Sequence, residues 1–447
     1  MSGDGIVVSY LKKWFGPFTA AELRRYVILG VTFALIIGTY WTMRALKDSI
    51  FGSVVGGGSL LAWAKIVSML LLFPVVAIYS KLLHKFPRHH MIYFIMAVYA
   101  LSFIAWGIFF SLPGVGLSNT VASANRISGW LWYTFVESFG SIVVALFWAF
   151  VADISDHKSA RYGFPLIVLI GQLGGMFTPK LIKLTKTLGF SNSAPLVMAF
   201  AVSAVLISLL VAWFLRTTPK EELAGFSGAH TKQAEEEEPG FLEGLKLLFS
   251  QKYLLGMFAV ISIFEIVSTF IDFNFKTMAL QLLTSEQERS VYLSSYAEMV
   301  NTLTFFFILF GINNIQRWIG VRVALIATPI VIAAIMIVFN MFYSLNILFW
   351  LALSAKAINY ALNGPTFKQL YVPTSNDVKY KAQAWIETFG SRGAKAASSG
   401  LNTLSKFSFY LPLIFFSSMG LLGIWVLIGL YLGKQYNNAI KENRVVC

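Results

Sequence analysis

The sequence predicts an all-α polytopic membrane protein, and three observations carry that reading. Only 13% of its 447 residues are charged and 57% are hydrophobic, whereas soluble domains carry roughly 25% charged residues. The apolar residues gather into twelve segments, most of them near or above the roughly 20 residues needed to cross a ~30 Å hydrocarbon core. Forty Phe and twelve Trp suit helices with lipid-facing and interfacial aromatics.

The first segment, 26–47, has no small-residue cleavage site and therefore reads as a span, not a signal peptide. Segments 59–83, 91–112, 129–152, 162–180 and 194–215 complete a first set of six. A second set comprises 253–276, 291–314, 319–343, 346–363, 384–405 and 408–433. The fifth, tenth and eleventh are interrupted by Gly, Pro and charge. Between the sets, residues 217–252 hold Pro219, the run Glu235–Glu238, Pro239 and Gly240, a flexible linker by composition. Its end, with Phe241, Leu242, Leu245, Leu247, Leu248 and Phe249, reads as an interfacial helix. The expected organisation is an N-terminal half 1–216, a linker 217–252 and a C-terminal half 253–447.

Charge placement sets the expected topology. With both termini inside, the outside loops keep only Arg126, Lys180, Lys183, Lys186, Lys276, Arg289 and Lys406, and most other basic residues fall in inside loops. This is the positive-inside pattern, and it accounts for most of the net charge of +14 without nucleic acid. Basic residues recur on the turns after spans two (81–88) and eight (313–322), a faint internal echo. Such a repeat implies two six-helix halves of major-facilitator-like type, with a midplane site. The only cysteine, Cys447, excludes an intrachain disulfide and a cysteine metal site. No cofactor is called for, and a monomer is expected.

Six basic residues remain inside the segments: Arg44, Lys47, Lys65, Lys356, Arg392 and Lys395. A cation at the bilayer centre costs about 2.5–3.5 kcal/mol on insertion scales, so it faces water or a partner. A cavity lined with them would hold an anion. For Arg44 and Lys47, three apart and close to Asp48, two readings stand: snorkelling to the outer surface, or an anion clamp. Lys65 has the same two readings. Glu137 lies too deep to snorkel. Glu265, Ser268 and Asp272 form one polar stripe; each carboxylate is either a structural ion-pair partner or a group that meets substrate or protons. Arg392 and Lys395 share a face with Ser399 in a segment of small residues, which lets a ligand or neighbour approach closely. Arg grips phosphate bidentately and Lys supplies a compact charge. The alternative there is packing glycines with Arg392 paired to Glu387. Tyr133, Asn301, Asn359 and Tyr360 are candidates to meet a nucleobase. No Gly-x4-Gly-Lys-Ser/Thr loop is present, which argues against an ATP-driven pump, and nothing argues for an enzyme or for a metal site at His84, His89 and His90.

Several strings, in order along nearly the whole chain, resemble the nucleotide transporter (ATP/ADP translocase) family of intracellular bacteria and plastids. They are Arg44-x-x-Lys47-Asp48, Glu137-Ser-Phe-Gly-Ser, Phe147-Trp148-Ala149-Phe150, Ile261-Ser-Ile-Phe-Glu265, Gly364 to Pro373 with Lys379-Tyr-Lys381, and Leu432-Gly433-Lys434-Gln435-Tyr436. The resemblance implies a major-facilitator-like fold and nucleotide transport across a bacterial inner membrane, with essential charges at Lys47, Glu137 and Glu265. The family's fourth, a lysine, falls on Ser391 here, with the charge moved to Arg392 or Lys395. The expected activity is ATP/ADP exchange by alternating access. Open alternatives are proton-coupled import of nucleoside triphosphates, exchange of a related cofactor such as NAD, and, in a different class, a lipid-headgroup enzyme or scramblase.

Overall fold

A computed structural model describes residues 19–155, 157–219, 241–311, 319–375, 385–442 and 444–447. The linker's glutamate run, most of the turn 313–322, and Lys379 with Lys381 lie outside the described residues, as does the side chain of Glu387. The regular structure of the described residues is entirely helical. In order come α1 (Ala20–Val54), α2 (Ser59–Lys85), α3 (Arg88–Ser111), α4 (Ile127–Asp153), α5 (His157–Phe177), the short α6 (Lys180–Thr187), α7 (Ala194–Thr217) and α8 (Phe241–Ser250). After these lie α9 (Lys252–Leu282), α10 (Glu286–Leu309), α11 (Val321–Met341), α12 (Leu345–Ile358), α13 (Gly364–Gln369), α14 (Ala394–Asn402) and α15 (Tyr410–Glu442). Two π-helical stretches, Asn359–Asn363 and Ile386–Gly393, interrupt the tenth and eleventh apolar segments, which Gly, Pro and charge already make irregular in sequence.

Ten helices among the described residues are long and apolar enough to cross a membrane. The eighth apolar segment is the more polar α10, and the eleventh is the π stretch continued by α14. Apolar side chains such as Phe73, Leu101 and Phe416 stand exposed, as a lipid-facing surface requires, because backbone polarity is already satisfied inside each helix.

Local chemistry sets the ends of α1. Thr19 accepts from the Glu22 N–H at 3.1 Å while Glu22 accepts from the Thr19 N–H at 2.8 Å, a reciprocal cap that satisfies two of the helix's orphan donors. Beyond Val54, Gly56 and Gly58 take positive φ values of 125° and 60°, a region costly for other residues, and the chain turns into α2.

By internal contacts the chain divides into two units. Unit 1 comprises Met1–Gly56, Val67–Thr231 and Thr284–Ile308; unit 2 comprises Gly57–Ile66, Lys232–Leu283 and Leu309–Cys447. The start of α2 thus clusters with unit 2, and nearly all of α10 with unit 1. In unit 1, α1 lies along α5 through a seam of small residues. A side chain at Gly174 would overlap the Ala34 carbonyl, and one at Gly30 would come within 2.7 Å of Ile170. Gly163 and Gly171 receive the rings of Tyr26 and Phe33 in the same way. Such seams let helices approach closely where lipid supplies no hydrophobic drive. α3 packs on α7 in unit 1, and in unit 2 α11 packs on α15 while α9 packs on α14.

Two readings of the basic loops change. Lys180–Lys186 is not a loop: it forms α6, and Lys183 pairs with Glu298 of α10 at 3.0 Å. Lys276 does not lie in an outside loop. It is 4% exposed within α9, because that helix continues past the apolar window to Leu282.

Replacing Gly174 with Ala should force α1 and α5 apart. Overpacking typically costs about 1–3 kcal/mol, so the purified variant should melt several degrees below the parent in detergent, whereas Gly393→Ala, with open space around it, should melt close to the parent.

Candidate functional site

Lys47, Lys65 and Lys395, three of the six intramembrane basic residues expected from the sequence, sit in ion-pair clusters, each contained within one unit. In unit 1, the Lys47 ammonium near the C-terminal end of α1 donates to Glu137 of α4, with Asp48 at 3.7 Å. It also lies 4.1 Å from the centroid of the Tyr133 ring, a favourable place for a cation where water is scarce. Lys47 is 2% exposed, while the Glu137 side chain is 34% exposed. The carboxylate therefore reaches accessible space and the cation hides behind it. Arg44, one turn earlier, stands over Trp41 with its guanidinium carbon 5.1 Å from the ring centroid. Next to Glu137, Ser138 shares a hydrogen bond with Tyr99 at 2.8 Å, which ties α4 to α3.

In unit 2, Glu265 of α9 accepts from the Ser391 hydroxyl at 2.8 Å and pairs with Lys395 at 3.2 Å. Here the exposures are reversed: 51% for the Lys395 side chain and 15% for Glu265. Ser391 and Lys395 are four apart and meet the carboxylate together. Arg392 is exposed and takes no part in these contacts. Ser399, a further turn along α14, is buried.

A second cluster of unit 2 surrounds Asp272. Its Oδ2 takes Lys276 at 3.0 Å, one turn along α9, and Lys65 of α2 at 3.3 Å. Lys65 is thus an ion-pair partner of Asp272. Sequence reading missed Lys276 and Glu298. The signal for Lys276 was its i,i+4 spacing from Asp272; for Glu298 it was a carboxylate within an apolar segment. Two of the base candidates are committed elsewhere: Tyr133 is 1% exposed beneath Lys47, and Asn301, 1% exposed, donates to the Ala297 carbonyl. Asn359 and Tyr360 lie half-buried on the first π stretch, where Asn363 donates to the Asn359 side chain at 3.0 Å.

Paired charges of this kind, half open to accessible space inside long apolar helices, can exchange an internal partner for an external anion. A family profile described as TLC ATP/ADP transporter matches residues 4–350. The chain belongs to the TLC ATP/ADP transporter family. Among curated relatives of this family member, ADP,ATP carrier protein 4 of Rickettsia conorii is 22% identical, over 97% of this chain and 96% of its own. ADP,ATP carrier protein 1 of Rickettsia prowazekii is 22% identical with 98% of each covered, and ADP,ATP carrier protein 2, chloroplastic, of Arabidopsis thaliana is 22% identical over 99% of this chain and 79% of its own. Among solved structures, a bacterial homologue of the iron transporter ferroportin, inward-facing, superposes with a TM-score of 0.65 at 10% identity, covering 92% of this chain and 99% of that one. A bacterial homologue of the lysosomal transporter Spinster, inward-facing and unoccupied, gives 0.56 at 12% identity, covering 96% and 99%. These likenesses show the fold, which is of major-facilitator type. The family member is a multi-pass membrane transporter and not an enzyme.

Removing one partner of a buried pair leaves the other uncompensated, at a cost of about 3–5 kcal/mol. Asp272→Asn should therefore lower the melting temperature of the purified protein more than Lys65→Ala, since Lys65 is the more exposed of the two cations (20% against 6% for Lys276).

Proposed function

We propose that this protein exchanges ATP for ADP by alternating access across a bacterial inner membrane, as a monomer with both termini on the cytoplasmic side. The observation that carries the proposal is a Lys–Glu bridge in each unit at the positions the family resemblance singles out, each with one member exposed: Lys47–Glu137 in unit 1 and Lys395–Glu265 in unit 2. Membership of the ATP/ADP transporter family and the names of the relatives support the choice of substrate, and the excess of basic residues in the loops expected inside supports the orientation.

A phosphate chain is the right opponent for such a bridge. It offers several charged acceptors at once, and charge-assisted bonds are roughly twice as strong as neutral ones. Lys47 and Lys395 are the cations that would leave their glutamates for phosphate, and Glu137 and Glu265 would take them back when the nucleotide departs. Arg44, Lys65 and Asp272 complete the charged set that sequence reading selects; Lys65 and Asp272 hold each other in place and shape the field around the route. Asn359 and Tyr360, rather than Tyr133 and Asn301, are the groups assigned here to the base. In unit 2 the charge that stands for the family's lysine is Lys395, with Ser391 filling out the carboxylate's shell and Arg392 taking no part in it.

Exchange of ATP at about −4 for ADP at about −3 moves one charge, and one charge across 100 mV is worth about 2.3 kcal/mol. Counter-exchange therefore responds to the membrane potential as well as to the two nucleotide gradients. Proton coupling through Glu137 or Glu265 would instead neutralise part of the load.

Radiolabelled ATP uptake into proteoliposomes tests the proposal. Uptake should require internal ADP and should rise when a potential draws negative charge inward. Uptake into empty vesicles that tracks an imposed proton gradient would replace exchange with proton-coupled import, and NAD uptake in place of ATP would change the substrate. A hydrogen bond to a charged group is worth about 1.5–3 kcal/mol, which sets the scale for variants. Lys47→Ala, Glu265→Gln and Lys395→Ala should each lower uptake by about 10- to 100-fold with folded protein retained, while Arg392→Ala should stay within about twofold.

A further inference from the structure

Hydroxyls within the helices of this protein mostly bond back to their own helix. Thr32, Thr42, Thr134, Ser208, Thr302 and Thr328 each donate to the carbonyl four residues earlier, the local habit of Ser and Thr. Ser262 and Ser398 do otherwise. Ser262 of α9 donates across to the Gly390 carbonyl at 3.1 Å, and Ser398 of α14 donates back to the Ile266 carbonyl of α9 at 3.1 Å. The two bonds run in opposite directions between α9 and the π stretch with its continuation α14. They bracket Glu265 and its partners Ser391 and Lys395, since Ser262 lies three residues before Glu265, and Ile266 directly after it.

The carbonyl that Ser262 holds belongs to the π stretch Ile386–Gly393. At the end of that stretch the Ala394 N–H bonds to the Ser391 carbonyl, away from the regular α partner Gly390. A π bulge admits an extra residue to a turn, and this rotates the residues beyond it about the helix axis. Lys395 comes two residues after the stretch ends, so its direction depends on how the stretch is held. Gly390 is the point of close approach, for a side chain there would come within 2.6 Å of the Ile261 Cγ2. We propose that Ser262 and Ser398 are positioning residues: their reciprocal bonds clamp the π stretch against α9 in the rotation that delivers Ser391 and Lys395 to Glu265. This rests on the reading of the Glu265 cluster as part of the transport site.

Two readouts separate the clamp from that reading. The first is the rate at which a cysteine introduced as Arg392→Cys reacts with a water-soluble maleimide, with the parent chain and its single Cys447 as the blank. Adding Ser262→Ala should change that rate by about threefold or more, whereas Ser262→Thr, which keeps the hydroxyl, should not. The second is ATP uptake. Interhelical bonds of this type contribute modestly in membranes, so Ser262→Ala and Ser398→Ala should each raise the KM for ATP about three- to tenfold with a smaller change in maximal rate, and Ser262→Thr should restore it. An unchanged labelling rate in Ser262→Ala overturns the clamp whatever happens to uptake. A changed labelling rate with an unchanged KM overturns the positioning role and leaves a structural tie. Failure of the transport-site reading itself shows separately, as full uptake by Glu265→Gln.

Discussion

A charge carried into the low-dielectric interior of a bilayer must bring its compensation with it, and the arrangement of this protein answers that constraint. Lys47 meets Glu137, Lys395 meets Glu265, Lys183 meets Glu298, and Lys65 joins Lys276 on Asp272. Except for Lys276, which shares α9 with Asp272, these cations reach a carboxylate on another element. The same contacts that remove the cost of burial therefore tie helices together. In the proposed exchange, a cation that meets the solute would at the same time be a brace.

The bridges Lys47–Glu137 and Lys395–Glu265 differ in which partner is shown. In unit 1 the carboxylate faces accessible space and the ammonium is buried over Tyr133; in unit 2 the ammonium is the exposed member. In the proposed exchange an arriving phosphate chain would meet an available cation in unit 2, but in unit 1 it would first have to dislodge a carboxylate of its own sign. The bridge in unit 1 would then be the more demanding to open, and an anion with several charges better able to open it than one with a single charge. Selectivity for polyphosphates over simple carboxylates can arise from that asymmetry without a dedicated pocket for phosphate geometry.

Much of this is legible in the sequence because burying or exposing a residue in lipid is a composition decision. Hydropathy locates the spans, and a charge inside a span calls for a partner, so Lys47, Glu137, Glu265, Lys65 and Asp272 stand out as ion-pair positions without a structure. Composition does not register where a helix stops. α9 runs past its apolar window, so Lys276 reads as a loop residue, and α6 reads as a loop because its three lysines interrupt any short apolar run. Spacing alone also leaves a choice open. On a wheel of 3.6 residues per turn both Arg392 and Ser391 fall near the face of Lys395, and only the structure shows that it is Ser391 that meets Glu265. Tyr133 and Asn301 mislead for a third reason: polarity suggests contact with solute, but one forms the floor under Lys47 and the other bonds its own helix.

The glycine seam between α1 and α5 has a mechanical corollary. With Gly163, Gly171 and Gly174 filled by the facing ring or backbone of α1, the two helices can neither slide nor roll without collision, and they behave as one stiff beam. At 1.5 Å per residue the 35 residues of α1 reach roughly 50 Å. A tilt of about 5° at the Thr19 end then sweeps the far end, where Lys47 sits, through about 4 Å, more than the length of an ion pair. A small rotation at one membrane face is in this way geared up to a displacement able to part a salt bridge near the other.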